Sequence, residues 1–442
     1  MQDVSSPFLV KNVRLFIAFR LFFTARFYYP VFSIIFLDFG LSVSQFALLN
    51  AIWAGVIVVF EVPSGALADV LGRRRLLVAT GIMMVVELFL LCMAPVRGGT
   101  LLFSLFLVNR ILSGLAEASA SGADEALAYD ALKRAGMESS WGRVLEVQMR
   151  LQSLAFVGAM ITGGLLYDPQ FVGRLAAFAG YGGQITQDLT LRIPLLLTLL
   201  FGFFTLGCAL AMDEPQFGSE PKATPPLAAL AKTMDAGRWI LASPFAFSVI
   251  VAGLIFDGVM RMVITLGSQY YRVIGIPEAG LGFLGALSAG LGIGVAKLSR
   301  HLAEGKAPVF NLGFLSVATL ASLVSMSFFP RWWGVVPALV LFAAMGMVSF
   351  FVSHYLNAMA PSETRATVLS FKGLAWNISY GVLGMLYALL LWASRKKVGP
   401  EFLASSGFNI EDLLFVKTFV AFPLCFALAM GLFMLACLVW RK

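Results

Sequence analysis

Charge is scarce in this chain of 442 residues: Asp, Glu, Lys and Arg make up 13% of it, about half the roughly 25% of an ordinary soluble domain. So little charge excludes a soluble globular enzyme, and it equally excludes a disordered chain, which combines low hydrophobicity with high charge. Histidine is limited to two residues and cysteine to four, Cys92, Cys208, Cys425 and Cys437, each inside an apolar run with no C-x-x-C spacing and no histidine nearby. That leaves no basis for a disulfide framework or a zinc site and makes packing the role of the thiols. No metal site and no cofactor are expected. The chain has no G-x-x-x-x-G-K-[ST], no H-E-x-x-H and no G-x-S-x-G, so nucleotide, zinc and serine hydrolysis have no footing and the protein is not expected to be an enzyme. The first ten residues carry Asp3 and lack a basic region followed by a short apolar core, so no removable signal peptide is expected.

What is present is hydrocarbon. Hydrophobic residues make up 59%, with 40 Phe and 42 Gly and a mean hydropathy of +0.87. A helix crosses a bilayer in about 20 residues, and twelve runs of that order follow one another: 13–37, 44–63, 76–95, 101–123, 143–166, 193–212, 245–271, 280–297, 308–329, 334–358, 367–392 and 412–440. The expected fold is an all-α membrane protein. Between runs six and seven lies the longest polar stretch, opening Asp213-Glu214-Pro215 and rich in proline. It divides the chain into an N-terminal six-helix half (1–212), a linker (213–244) and a C-terminal six-helix half (245–442), alike in hydropathy though not in letters, as in transporters built from repeats.

The net charge of +8 comes from Lys and Arg that punctuate the ends of apolar runs. This pattern reports topology and gives no reason to expect a nucleic-acid partner. With the N-terminus inside, Arg73 to Arg75, Lys133, Arg134, Lys222, Lys232 and Arg365 fall on the inner side, while Arg97, Arg174, Arg192, Arg272, Arg331 and Arg395 to Lys397 fall outside. The inner excess is about two to one over all basic residues, so both termini are expected in the cytoplasm. A bacterial inner membrane and a monomer in lipid are the expected setting.

After the second run stands Glu61-Val62-Pro63-Ser64-Gly65-Ala66-Leu67-Ala68-Asp69-Val70-Leu71-Gly72-Arg73-Arg74-Arg75. Three arginines here can anchor the chain on anionic lipid, or a short loop can dock Asp69 on helix N-termini or arginines. The spacing of Gly65, Asp69, Gly72, Arg73 and Arg74 resembles the loop signature G-x-x-x-D-x-x-G-R-R of the major facilitator superfamily, and Arg110-Ile111-Leu112-Ser113-Gly114 is similar to the R-x-x-x-G element of its fourth span. In the fifth run, Gly163 and Gly164 match the end of the G-P-x-x-G-G element of the drug-exporting branch, while Ala159 and Met160 depart from it. The resemblance implies two six-helix halves that rock about a central site, and a cavity lined by spans one, four, seven and ten.

An ionisable side chain at bilayer depth is costly unless paired or wet, and marks function by default. Spans one, three, four and seven carry Arg26, Glu87, Arg110, Glu117, Asp257 and Arg261, the last two an i, i+4 pair. Arg110, Glu117, Ser121 and Asp124 share one helical face by spacing. By resemblance Arg26, Arg110, Glu117, Asp257, Arg261 and His354 line the cavity. Two readings stay open: substrate or proton work, or static interhelical ion pairs. The run from Gly122 to Asp130 sets Asp124, Glu125 and Asp130 around the inner end of span four, either as a proton-sharing site or as a gate paired with Arg143 or Arg365. The stretch Arg365-Ala366-Thr367 after span ten resembles a motif in one group of superfamily permeases and mirrors that gate. Gly280, Gly282, Gly285, Gly290, Gly292 and Gly294 predict close helix approach in span eight. Lys372, Trp376, Asn377 and Tyr380 predict a polar aromatic stripe in span eleven, fit to stack a planar solute.

The leading expectation is a proton-coupled secondary transporter that moves a small amphipathic or anionic organic solute by alternating access, as an exporter driven by the proton gradient. The alternatives are an importer (symporter) of an organic anion or siderophore-like metabolite, a lipid scramblase, and a sensor that binds without moving its ligand.

Overall fold

The computed structural model describes residues 6–214, 237–359, 365–399, 403 and 407–440, and every regular element among them is helical. Twelve helical segments among the described residues are long and apolar enough to cross a membrane. Numbered one to twelve, they are Lys11–Phe39, Val43–Glu61, Arg73–Met93, Gly99–Arg134, Glu138–Tyr167, Gln187–Ala211, Pro244–Thr265, Glu278–Gly305, Pro308–Ser327, Val335–Met359, Val368–Arg395 and Ile410–Leu438. Each falls on one of the apolar runs. Helix is the form such a run must take in hydrocarbon, because a lone chain segment there can satisfy its N–H and C=O groups only internally.

The chain divides into two compact units, Met1–Pro30 with Val56–Ala229, and Val31–Gly55 with Leu230–Lys442. In the first unit, span one packs on spans five and six, and span three on spans four and six. In the second, span seven packs on spans eleven and twelve, and span nine on spans ten and twelve. Every one of these pairings recurs six spans later, so the repeat that shows only as hydropathy in the letters is explicit in the packing.

Three local features depart from the simple spans. The first span is broken: helix Lys11–Thr24 ends, a 3-10 turn covers Tyr29–Val31, and helix Phe32–Phe39 resumes. Pro30 has no N–H to continue the ladder, and the freed N–H of Phe27 donates to Thr198 Oγ1 at 3.1 Å. The second feature is the stretch after span two, which is not a loop. Its helix runs Val43–Leu71 straight through Pro63, and only Gly72, at φ +92°, turns the chain. The third is a break at Ser121 and Gly122, where Gly122 takes φ +78° and a separate helix, Ala123–Arg134, begins. That helix carries Asp124 and Glu125 in its first turn and Lys133 and Arg134 in its last, the order that suits its dipole.

Glycine plays different parts in spans five and eight. A Cβ on Gly163 would run into the carbonyl oxygen of Phe27 and lie 2.7 Å from its carbonyl carbon. The fifth span therefore touches the broken first span backbone to backbone. Gly163→Ala is expected to destabilise the protein by about 3 kcal/mol, the upper range for overpacking where backbone must move, read as a lower Tm in detergent. In span eight, by contrast, a Cβ on Gly290, Gly292 or Gly294 meets nothing within 4 Å. The close helix approach expected of that stripe is absent at these three positions.

Candidate functional site

The break in span one sets Arg26 free of helical geometry and turns it toward span three. Its Nη1 donates to Glu87 Oε1 at 2.6 Å, and both side chains are almost fully enclosed, 4% and 0% exposed. Asn109 Nδ2 donates to the carbonyl of Glu87 at 3.2 Å, and Arg110 Nε donates to Asn109 Oδ1 at 2.9 Å. Arg26, Glu87, Asn109 and Arg110 thus form one buried polar ladder across spans one, three and four. Such a pair is held in the low-dielectric interior by mutual neutralisation.

Two turns beyond Arg110, Glu117 has an exposed side chain that makes no hydrogen bond or ion pair among the described residues. The charges of Arg26, Arg20, Glu87 and Asp124 lie within electrostatic range of it. Asp124 is not on the same helical face as Arg110 and Glu117, because the break at Gly122 ends that helix. It is wholly enclosed instead, and Arg20 Nη2 donates to its Oδ1 at 2.8 Å, with Glu125 3.5 Å from the same guanidinium.

Among the described residues, Asp124 and Asp130 pair with basic residues other than Arg143. Asp130 pairs with Arg73 of the loop signature, Asp124 pairs with Arg20, and Arg143 lies over the ring of Phe8 at 5.7 Å. The side chains of Arg365 and Asp69 and the surroundings of Gly65 lie outside the described residues. Glu61 is half-buried, and its Oε2 has no hydrogen-bond partner among the described residues. The turn at Gly72 is built around Glu214, whose carboxylate accepts from the backbone N–H of Arg73 at 3.0 Å and of Arg74 at 2.7 Å. Gly72 takes φ +92°, which favours glycine, and a Cβ there would also crowd that carboxylate at 3.1 Å. Beside it, Lys11 Nζ and Asn12 Nδ2 hold Asp213 at 2.9 and 2.8 Å. The first two residues of the polar linker are thereby tied to the starts of spans one and three, with Glu214 acting as a helix cap.

In the second unit, Arg261 donates to Asp257 Oδ1 from Nε at 3.2 Å and from Nη2 at 2.8 Å, and from Nη1 to Asn377 Oδ1 at 2.9 Å. Its guanidinium lies 5.3 Å from the ring centre of Tyr380, whose hydroxyl donates to Thr265 at 3.3 Å. Lys372 donates to Ser353 Oγ at 2.9 Å and stands 4.8 Å over the ring of Trp376. The predicted stripe of span eleven is therefore matched by a stripe on span seven, Asp257, Arg261 and Thr265, spaced by four. His354 is exposed and stacks on Phe350 at 5.9 Å.

Three participants were not singled out by sequence reasoning, the bridge Asn109, the cap Glu214 and the Lys372 partner Ser353, while Arg20 stood out as a charge inside span one without its partner Asp124. Arg20 and Asn109 are polar residues inside apolar runs, which is a usable signal. Glu214 and Ser353 have no such signal. No group of three or more His, Cys, Asp or Glu is placed to hold a metal among the described residues.

The family model described as Major Facilitator Superfamily matches residues 15–385. No curated protein matches significantly. Among solved structures, a bacterial homolog to the human lysosomal transporter Spinster, in an inward-facing and unoccupied conformation, is similar with a TM-score of 0.69 and 17% identity over 98% of this chain and 97% of that one. The nucleoside transporter NupG is similar with a TM-score of 0.63 and 14% identity over 96% and 99%. A D-xylose-proton symporter is similar with a TM-score of 0.58 and 11% identity over 94% and 97%. At these identities the likeness is one of fold.

Proposed function

This chain belongs to the major facilitator superfamily, as an integral multi-pass membrane transporter and not an enzyme, and we propose that it is a proton-coupled secondary carrier exporting a small amphipathic or anionic organic solute by alternating access. The observation that carries this reading is Glu117. A carboxylate in the middle of an apolar span is tolerated only where it meets water or a partner, and Glu117 is exposed with no ion pair among the described residues. It can gain and lose a proton without dismantling the Arg26–Glu87 pair. Protonation changes the charge of the face it shares with Arg110, and that is the requirement for linking proton occupancy to solute affinity. The excess of basic residues on one set of loops supports both termini in the cytoplasm, and the reading includes a monomer in a bacterial inner membrane.

The test uses proteoliposomes loaded with the pH dye pyranine and challenged with organic anions, zwitterions and lipophilic cations under an imposed pH gradient. A solute that provokes proton movement in wild type is expected to provoke none in Glu117→Gln, while solute-for-solute exchange persists. The sign of the pH change separates export from import. Passage of fluorescent lipid between leaflets, with no gradient and no solute-linked proton flux, would replace this reading with a scramblase.

A further inference from the structure

We infer that the paired stripes of spans seven and eleven form a binding site for an amphipathic organic monocarboxylate, with Lys372 and Ser353 seating the carboxylate and Trp376 flanking its apolar body. The inference deepens the transporter reading and rests on it for its consequence, since it names the class of solute.

The charge count comes first. The cluster contains Arg261, Lys372 and Asp257. Arg261 spends two donors on Asp257 and a third on Asn377, so the one negative charge is matched. Asp257 is also enclosed, 2% exposed, with its charge offset by the guanidinium bonded to it. Lys372 has no carboxylate partner among the described residues: its ammonium meets a neutral hydroxyl and an aromatic face. The cluster therefore carries one uncompensated positive charge within a span, a state that asks for a monoanion. A dianion such as a phosphate monoester would leave it overcompensated.

Hydrogen-bond capacity points the same way. Most acceptors are engaged internally: Ser353 Oγ accepts from Lys372, Asn377 Oδ1 and Asp257 Oδ1 accept from Arg261, and the enclosed Asp257 Oδ2 lies 2.7 Å from Arg261 Nη2. What remains to present is donors, namely the other ammonium protons of Lys372, the hydroxyl proton of Ser353 and the Nδ2 of Asn377. A carboxylate is acceptor-only and takes two such donors on its two oxygens.

The third observation is direction. Span eleven exposes Ile378, Val382, Leu386 and Leu389 on one face, the lipid-facing stripe of an amphipathic helix, while Lys372, Trp376, Asn377 and Tyr380 lie on the opposite face by their 3.6-residue spacing. Trp376 is 9% exposed, and Gly253 lets the indole lie close: a Cβ there would be 3.1 Å from Nε1. A planar apolar body beside a carboxylate fits this wall.

The experiment measures equilibrium binding to the full-length purified chain of three probes with one body: 2-naphthoate, 2-naphthamide and 2-naphthylmethylammonium. The naphthoate is expected to bind at least tenfold more tightly than the amide or the cation. Lys372→Gln is expected to lower naphthoate affinity tenfold or more without changing that for the amide, Ser353→Ala to lower it a few-fold, and Lys372→Arg to restore most of it, which separates lost charge from lost fold. Naphthoate binding that is absent in wild type, no better than that of the amide, or unmoved by Lys372→Gln overturns the inference. Counterflow of labelled naphthoate in proteoliposomes separates the two levels. Lys372-dependent binding without counterflow sinks the transporter reading and leaves the site standing, whereas counterflow indifferent to Lys372 sinks the site and leaves transport standing.

Discussion

Glu87→Ala is expected to cost about 3–5 kcal/mol of stability, the usual penalty for stranding one partner of a buried ion pair, and to show as the largest fall in Tm of any single carboxylate substitution in the first unit. The reason is what remains. Arg26, 4% exposed at its side chain, would keep only a 3.3 Å contact to the Phe23 carbonyl, a 3.5 Å contact to the Tyr28 hydroxyl and the Phe23 ring at 5.3 Å, none of which carries a negative charge. Asn109 would lose its side-chain acceptor as well. The double replacement Arg26→Leu with Glu87→Leu removes both charges together and is expected to recover most of the loss, since apolar replacement of a whole buried pair is often neutral or stabilising. This pair of measurements also decides between the two readings of the intramembrane charges. A double variant that is stable and still transports makes Arg26–Glu87 a static strut. One that is stable and inert makes the pair part of the working mechanism.

How far the sequence could be read depended on range. Twelve spans were legible because a bilayer imposes a length and a composition on each segment separately. The Asp257–Arg261 pair was legible because one turn of helix separates its members. The partners of Arg26, Arg20 and Arg73 were not, because they lie 61, 104 and 57 residues away and any of several acids would have satisfied the letters. Arg143 was the nearer choice for the inner acids in sequence, yet the turn at Gly122 carries Asp124 back to Arg20 of span one. Breaks were also hidden. Pro30 and Gly122 each sit in runs apolar enough to pass for continuous helix, and the contacts that hold the breaks are tertiary, the Thr198 hydroxyl taking the N–H of Phe27 and the Arg20 guanidinium taking Asp124. The loop signature was visible as spacing, but the reason for its Gly72, the carboxylate of Glu214 more than a hundred residues on, required coordinates.

Asp257 offers a second large effect, of a different kind. Asp257→Ala is expected to destabilise the second unit by about 2 kcal/mol, the lower end for truncating one member of a buried charge pair. The lower end applies because Arg261 is 23% exposed at its side chain and keeps both Asn377 and the ring of Tyr380. The isosteric Asp257→Asn retains an acceptor for Arg261 and removes only the charge, so it is expected to fold better than the alanine variant and to expose the electrostatic consequence. With the carboxylate neutral, Arg261 and Lys372 together carry two uncompensated positive charges where there was one. One extra unit charge at about 8 Å and an effective dielectric of about 20 is worth about 2 kcal/mol per unit of ligand charge, so a dianion gains that much over a monoanion, more than tenfold in relative affinity. Binding of 2-naphthyl phosphate measured against 2-naphthoate is therefore expected to shift by at least tenfold toward the phosphate in Asp257→Asn. An unchanged ratio would mean that neither ligand feels the Asp257–Arg261–Lys372 cluster, and the carboxylate would then have to be seated elsewhere in the chain.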